Sequence, residues 1–174
     1  LARLGRPEGA LLLRSKLLQG DRELEVISEC FRSILALEPP REACAFVARF
    51  LASEDASIAE AAALSLGESR FPAAFPVLRE RWDETFDRSF RRVLLIAMAL
   101  LRSGEATDFL LSLVSSGGEG SGEERARSAL TAIGPFLYVE ELRQKARAAV
   151  MATGNPKLIE LYEEELRKIT IPSA

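Results

Sequence analysis

A chain of 174 residues is long enough for one ordinary domain, and its 23 basic against 26 acidic side chains leave a formal charge of −3. That balance gives no electrostatic reason to expect nucleic acid or an anionic membrane as a partner. Nearly half of the residues are hydrophobic, led by alanine and leucine, and no alternating apolar/polar run reaches strand length between turns, so the expected class is all-α.

In chain order, residues 1–5 read as the tail of a helix ending in Leu4-Gly5. A leucine-rich helix is predicted from Pro7 to Gln19, and Gly20-Asp21 ends it and caps the next. That next helix, Asp21 to Leu37, carries Leu24, Ile27, Phe31, Ile34 and Leu35 on one side, and Pro39-Pro40 breaks it. Arg41 to Ala52 supplies a partner built on Phe46, Val47, Phe50 and Leu51. Asp55 then caps a helix in which Ile58, Ala59, Ala62, Ala63 and Leu66 share a face. Gly67 is placed to end that helix in the left-handed conformation. A second helix follows with Phe71, Phe75, Leu78 and Trp82 as its stripe, Pro72 in its first turn, and Pro76 bending it or delaying its start.

The next pair runs from Asp87 to Arg102, with Phe90, Val93, Leu94, Ala97 and Leu101 inward, and from about Glu105 to Val114. Ser115 to Gly122 reads as a mobile loop. Helices are predicted at Glu123–Ile133 and Phe136–Thr153, joined at Gly134-Pro135. A last one opens at Asn155-Pro156 and runs to about Lys168, with Leu158, Ile159, Tyr162 and Leu166 inward.

These elements keep a register. The hinges after successive first helices, Gly5, Glu38, Gly67, Leu101 and Gly134, lie 33, 29, 34 and 33 residues apart. The helix starts Asp21, Asp55, Asp87, Gly122 and Asn155 lie 34, 32, 35 and 33 apart. A period in this range implies a stacked array of helical hairpins, an α-solenoid, in which each repeat touches mainly its neighbours. The repeats fall at about 1–20 (partial), 21–54, 55–86, 87–121, 122–154 and 155–174 (partial), forming a single domain over 1–174.

The residues Asp55, Ala61-Ala62-Ala63, Leu66-Gly67, Ala74, Val77 and Leu78 resemble the short HEAT-like repeat, of the kind found in phycobilisome-lyase-type proteins, and Asn155-Pro156 is similar to the Asp-Pro that often opens it. The chain departs from that pattern at Glu38-Pro39-Pro40 and Leu101, which replace the Leu-Gly ending, and at Ile58-Ala59 in place of Val-Arg. The resemblance implies a right-handed α-α superhelix of about five HEAT-like hairpins, roughly ten helices. It implies an interaction scaffold first, and a phycobilin lyase or chaperone-like protein, or a DNA-binding repair enzyme, as alternatives.

Chemistry is hard to build from this composition. Histidine is absent, which removes the commonest general base and the commonest metal ligand together and forbids Ser-His-Asp or Cys-His arrangements. Cys30 and Cys44, too few for a zinc site, lie among apolar neighbours and read as buried thiols. Carboxylate pairs such as Glu54/Asp55, Asp83/Glu84 and Glu163/Glu164/Glu165 fall on polar faces or helix ends. The glycines from Gly117 to Gly122 are followed by Glu123-Glu124, which would repel a phosphate. Trp82 reads as core. No catalytic residue, cofactor or metal is therefore expected, and the chain reads as no enzyme.

What remains is a surface. In HEAT-type solenoids the second helices line the concave side, and on helical wheels of those helices Arg41, Arg49, Glu80, Glu84, Asp108, Ser112, Gln144 and Arg147 fall opposite the apolar stripes. This mixed-charge row suits a protein or peptide partner rather than nucleic acid, a membrane or a metal. With no secretory leader, no apolar run longer than Val93–Leu101 and two cysteines, the expected compartment is cytoplasmic. The start at Leu1 falls in mid-pattern and reads as an excised fragment.

Overall fold

The apolar periodicities close into helices throughout. The computed structural model describes residues 6–19, 23–118 and 121–170, and among these there is no strand. The chain divides into two compact units, Leu1–Ser103 and Gly104–Ala174. The first contains α1 (Arg6–Leu18), α2 (Leu24–Leu37), α3 (Pro40–Ala48), a 3-10 turn at Arg49–Ala52, α4 (Ala56–Glu68), α5 (Ala74–Glu84) and α6 (Arg88–Leu101). The second contains α7 (Gly104–Ser115), α8 (Ser121–Ile133), a 3-10 turn at Gly134–Phe136, α9 (Glu140–Thr153) and α10 (Pro156–Thr170). No described helix is long and apolar enough to cross a membrane.

In the first unit, two aspartates fix helix starts. Asp55 Oδ1 accepts from the amides of Ser57 (2.9 Å) and Ile58 (3.4 Å), and Asp87 Oδ1 accepts from Ser89 (2.7 Å) and Phe90 (3.2 Å). Each cap satisfies amides with no partner inside the helix and contributes about 1 kcal/mol. Helix α4 packs against both α2 and α6, while α5 packs against α3 and α6. Phe31, Ile34, Leu66, Leu78, Leu94, Leu95 and Met98 are fully buried there, each contributing roughly 1.5–3 kcal/mol. Trp82 is buried, as its place in the stripe predicts. Arg14 of α1 grips the Glu38 carboxylate at the end of α2, its Nε donating to Oε1 at 2.8 Å. The same guanidinium lies 4.4 Å from the centre of the Phe46 ring.

The second unit repeats the alternation. Helix α7 packs on α8 and α9, and α10 packs on α8 and α9. Leu110, Leu130, Ile133, Leu137 and Leu158 are its largest fully buried side chains. Asn155 serves two elements. Its Oδ1 accepts from Lys157 N (3.0 Å) at the start of α10, and its Nδ2 donates to the carbonyl of Gly117 (3.2 Å).

Several expectations change. Gly67 does not end α4: the helix runs on to Glu68, and the left-handed residue is Arg70, with φ 56°. Gly67 is instead a point of close approach, since a Cβ there would lie 2.8 Å from Ala97 Cα and 2.9 Å from Ala97 C on α6. Pro72 precedes α5, which starts only at Ala74, so Pro76 occupies the first turn, where a missing amide is harmless. The predicted helix over 41–52 is α-helical only to Ala48, then tightens into the 3-10 turn. Residues 136–153 are also not one helix. After Pro135 the chain turns through Leu137 and Tyr138, and α9 starts at Glu140, where Glu140 and Glu141 suit the positive end of the helix.

The loop predicted over 115–122 is much shorter. Ser115 belongs to α7, Ser121 and Gly122 to α8, and Gly117 is buried under Asn155. Residues 119 and 120 lie outside the described residues, as do the predicted helix tail at 1–5 and the cap at Asp21.

Gly67→Ala sets two effects against each other. Alanine gains up to about 1 kcal/mol in helix propensity. Backbone atoms of α6, which no rotamer change can move aside, oppose it, so overpacking of about 2 kcal/mol or more should prevail. Urea denaturation should show a net loss of stability, while Gly104→Ala, where a Cβ meets nothing within 4 Å, should change little. A Gly67→Ala protein as stable as the parent would refute the close-approach account.

Candidate functional site

All eight residues of the predicted row are exposed. Arg41, Arg49, Glu80 and Glu84 belong to the first unit: Arg41 lies on α3, Arg49 opens the 3-10 turn after it, and Glu80 and Glu84 lie on α5, which packs on α3. Arg49 lies 5.7 Å from the Phe46 ring centre, and Glu84 Oε2 is 3.6 Å from Arg81 Nη1. Arg81 in turn donates from Nε to the carbonyl of Leu51 (3.0 Å), tying α5 to the 3-10 turn. Arg49 and Glu84 are thus held by local partners, which for an exposed pair is worth at most about 1 kcal/mol.

The other four lie in the second unit, on α7 and α9. Ser112 Oγ donates to the carbonyl of Phe109 (2.6 Å), so its hydroxyl is turned back onto its own helix. Asp108 lies near enough to Lys145 to favour the ammonium form. The main cause of that lysine's raised pKa is Glu141, which accepts its hydrogen bond at 2.7 Å. The same bond holds the Glu141 carboxyl below the usual range.

Gln144 and Arg147 have a further setting. They line a groove of about 390 Å³ between α9 and α10, together with Glu140, Arg143, Met151, Tyr162, Glu163 and Leu166. Glu140 organises one end: it accepts from Gln144 Nε2 at 2.8 Å and pairs with the Arg143 guanidinium. Tyr162 forms part of the floor, its hydroxyl donating to the carbonyl of Arg143 at 3.1 Å. Burial pushes the phenol's pKa up, and the cations of Arg147 and Arg143 oppose that shift without cancelling it. Arg147 and Glu163 differ from their neighbours in that neither side chain is paired with any described residue. The groove therefore offers one open cation on α9 and one open anion on α10, in a lining that also includes Met151, Tyr162 and Leu166.

Sequence reasoning found Gln144 and Arg147 but assigned Tyr162 and Leu166 wholly to the core, read Glu163 only as one of a carboxylate run on a polar face, and did not single out Met151. The signal lies in α10, where Tyr162, Glu163 and Leu166 stand one and three residues apart, within the span of one turn. Glu165, expected on a polar face, is buried, and its Oε1 accepts from Lys168 Nζ at 2.7 Å. A second groove, of about 330 Å³, lies between α2 and α4 in the first unit, lined by Arg32, Leu35, Ala36, Ser65, Glu68, Ser69 and Phe71. There Arg32 and Glu68 face each other at 3.6 Å.

Both cysteines are buried and neither forms a disulfide; burial pushes the Cys44 thiol up to about 11. Among the described residues no group of three or more Cys, Asp or Glu side chains could hold a metal ion. No protein-family model, curated protein or solved structure matches the chain.

A raised phenol pKa means that the folded state holds the Tyr162 proton more tightly than the unfolded state. Its contribution to stability is complete below the unfolded value of about 10 and is lost as pH rises through the folded value. Spectrophotometric titration of the folded protein should show a late phenolate component that disappears in Tyr162→Phe. A titration curve of unchanged shape in that variant would show that Tyr162 is not buried as described.

Proposed function

We propose that the chain is a noncatalytic interaction scaffold of stacked HEAT-like hairpins that presents mixed-charge surfaces to a protein or peptide partner. The observation that carries this reading is the α9–α10 groove, in which Arg147 and Glu163 stand unpaired beside Met151, Tyr162 and Leu166. An extended or helical peptide offers the complement, an apolar side chain flanked by one acidic and one basic residue. A uniformly charged polymer matches only one of the two open charges.

The stacking part of the proposal is supported by the neighbour pattern within each unit. In the first, α2, α4 and α6 follow one another as packed neighbours while α3 contacts α5; in the second, α7 contacts α9 and α8 contacts α10. Contacts between alternate helices are what successive hairpins produce when each covers the apolar face of the one before it.

Selection of displayed peptides against the intact chain tests the binding reading. Selected peptides should combine both charges around an apolar residue, and Arg147→Glu or Glu163→Lys should each weaken them by about fivefold or more. Reversing the matching charge in the peptide should restore the loss. Both positions are exposed, so the variants should fold like the parent. Binders indifferent to both reversals, or a selection yielding none, would refute the assignment of this groove.

A further inference from the structure

The turn between α5 and α6 holds a side chain that the fold does not use. Phe86 is 87% exposed, more than any other exposed large hydrophobic residue among those described. Its neighbours are nevertheless fixed. Thr85 is buried and its amide donates to the carbonyl of Arg81 (3.0 Å), while the Asp87 amide donates to Thr85 Oγ1 (3.3 Å) and the Asp87 carboxylate caps α6. The phenyl ring is thus carried on a braced turn, so a binding partner would have little backbone entropy left to remove there.

Beside it stands Arg91. Its guanidinium carbon lies 5.7 Å from the centre of the Phe86 ring and 5.1 Å from that of the buried Trp82 ring, so the cation sits against two aromatic faces. Arg91 Nε is buried with no acceptor, and the side chain forms no ion pair with any described residue. The acids around it are engaged elsewhere: Asp83 accepts from Arg79 Nε at 2.9 Å, Glu84 faces Arg81, and Asp87 caps its helix. Aromatic side chains, phenylalanine included, and arginine are enriched at protein interfaces, and here both stand together without a carboxylate.

We propose that Phe86 and Arg91 form a docking point for a partner-protein segment that carries an aromatic or long aliphatic side chain close to a carboxylate. The apolar side chain stacks on Phe86, and the carboxylate takes the open N–H edge of the guanidinium. Asp83, Glu84 and Asp87 around the turn disfavour a polyanion while leaving room for a single carboxylate. This surface lies within the first unit and does not rest on the α9–α10 groove.

The test uses the intact chain and an array of short peptides in which Trp, Phe, Leu or Ala is followed by Asp, Asn or Lys. Members combining a large apolar residue with Asp should be retained. Retention should fall about tenfold in Phe86→Ala, return in Phe86→Tyr, and fall comparably when Asp is replaced by Asn. In amide NMR spectra the shifts on binding should centre on Phe86, Ser89 and Arg91 and leave α9 and α10 unchanged, which separates this site from the groove. Equal retention by parent and Phe86→Ala, retention indifferent to the carboxylate, or no retention would overturn the proposal. So would Phe86-dependent binding of oligothymidylate stronger than that of any peptide, which would assign the turn to single-stranded nucleic acid.

Discussion

Helix α4 approaches α6 as closely as it does because Gly67 carries no side chain where the Ala97 backbone passes. That contact sets the geometry of the first unit. The remaining inward residues of α4, Ala59, Ala62, Ala63 and Ser65, are small, so the helix axis lies close to its neighbours and Leu66 fills the space that is left. With α4 held against α2 on one side and α6 on the other, α5 has one place to bury Leu78 and Trp82, and the α5–α6 turn follows from that placement. In that turn Thr85 is the residue turned inward and the Phe86 ring is left outside.

The second unit meets a similar problem with a polar answer. At Gly134 the space a Cβ would occupy is taken by the side chain of Glu165, whose Cδ lies 2.9 Å from that position. A carboxylate so buried needs a cation, and Lys168 supplies it from the next turn of the same helix. Helix α10 therefore turns Glu165 inward and Glu163 outward, and only the second is left open. Helix α10 contributes both to the seam with the 3-10 turn and to the wall of the groove, so the groove's charge pattern is tied to how that helix is seated.

The helices were legible because their apolar periodicities are strong and three of their starts carry Asp or Asn. Asp55, Asp87 and Asn155 all stand at the helix entries the spacing implies. The endings were not legible, for a physical reason. Gly67 has the composition of a terminator, yet its lack of a Cβ serves packing between helices, a long-range demand invisible in local sequence. Arg70 and Arg102 then adopt positive φ, a conformation no local rule assigns to arginine. Of the candidate surface, exposure was readable from helical wheels for all eight row residues. The groove was not, because it depends on how α9 sits on α10 and on which charges have already found partners. Phe86 was missed because it lies between two periodic segments, where no face is defined.

The aromatic residues that pack Arg91 and floor the groove also divide cleanly along the chain. The one tryptophan, Trp82, lies in the first unit, and both tyrosines, Tyr138 and Tyr162, lie in the second. The protein thus carries a separate intrinsic optical reporter for each half. Indole emission follows the packing of α5 against α6, while phenol absorbance follows α10 and the turn before α9. Whether the two halves melt as one cooperative body or in succession can be read from the unmodified chain, by asking if the two signals change together.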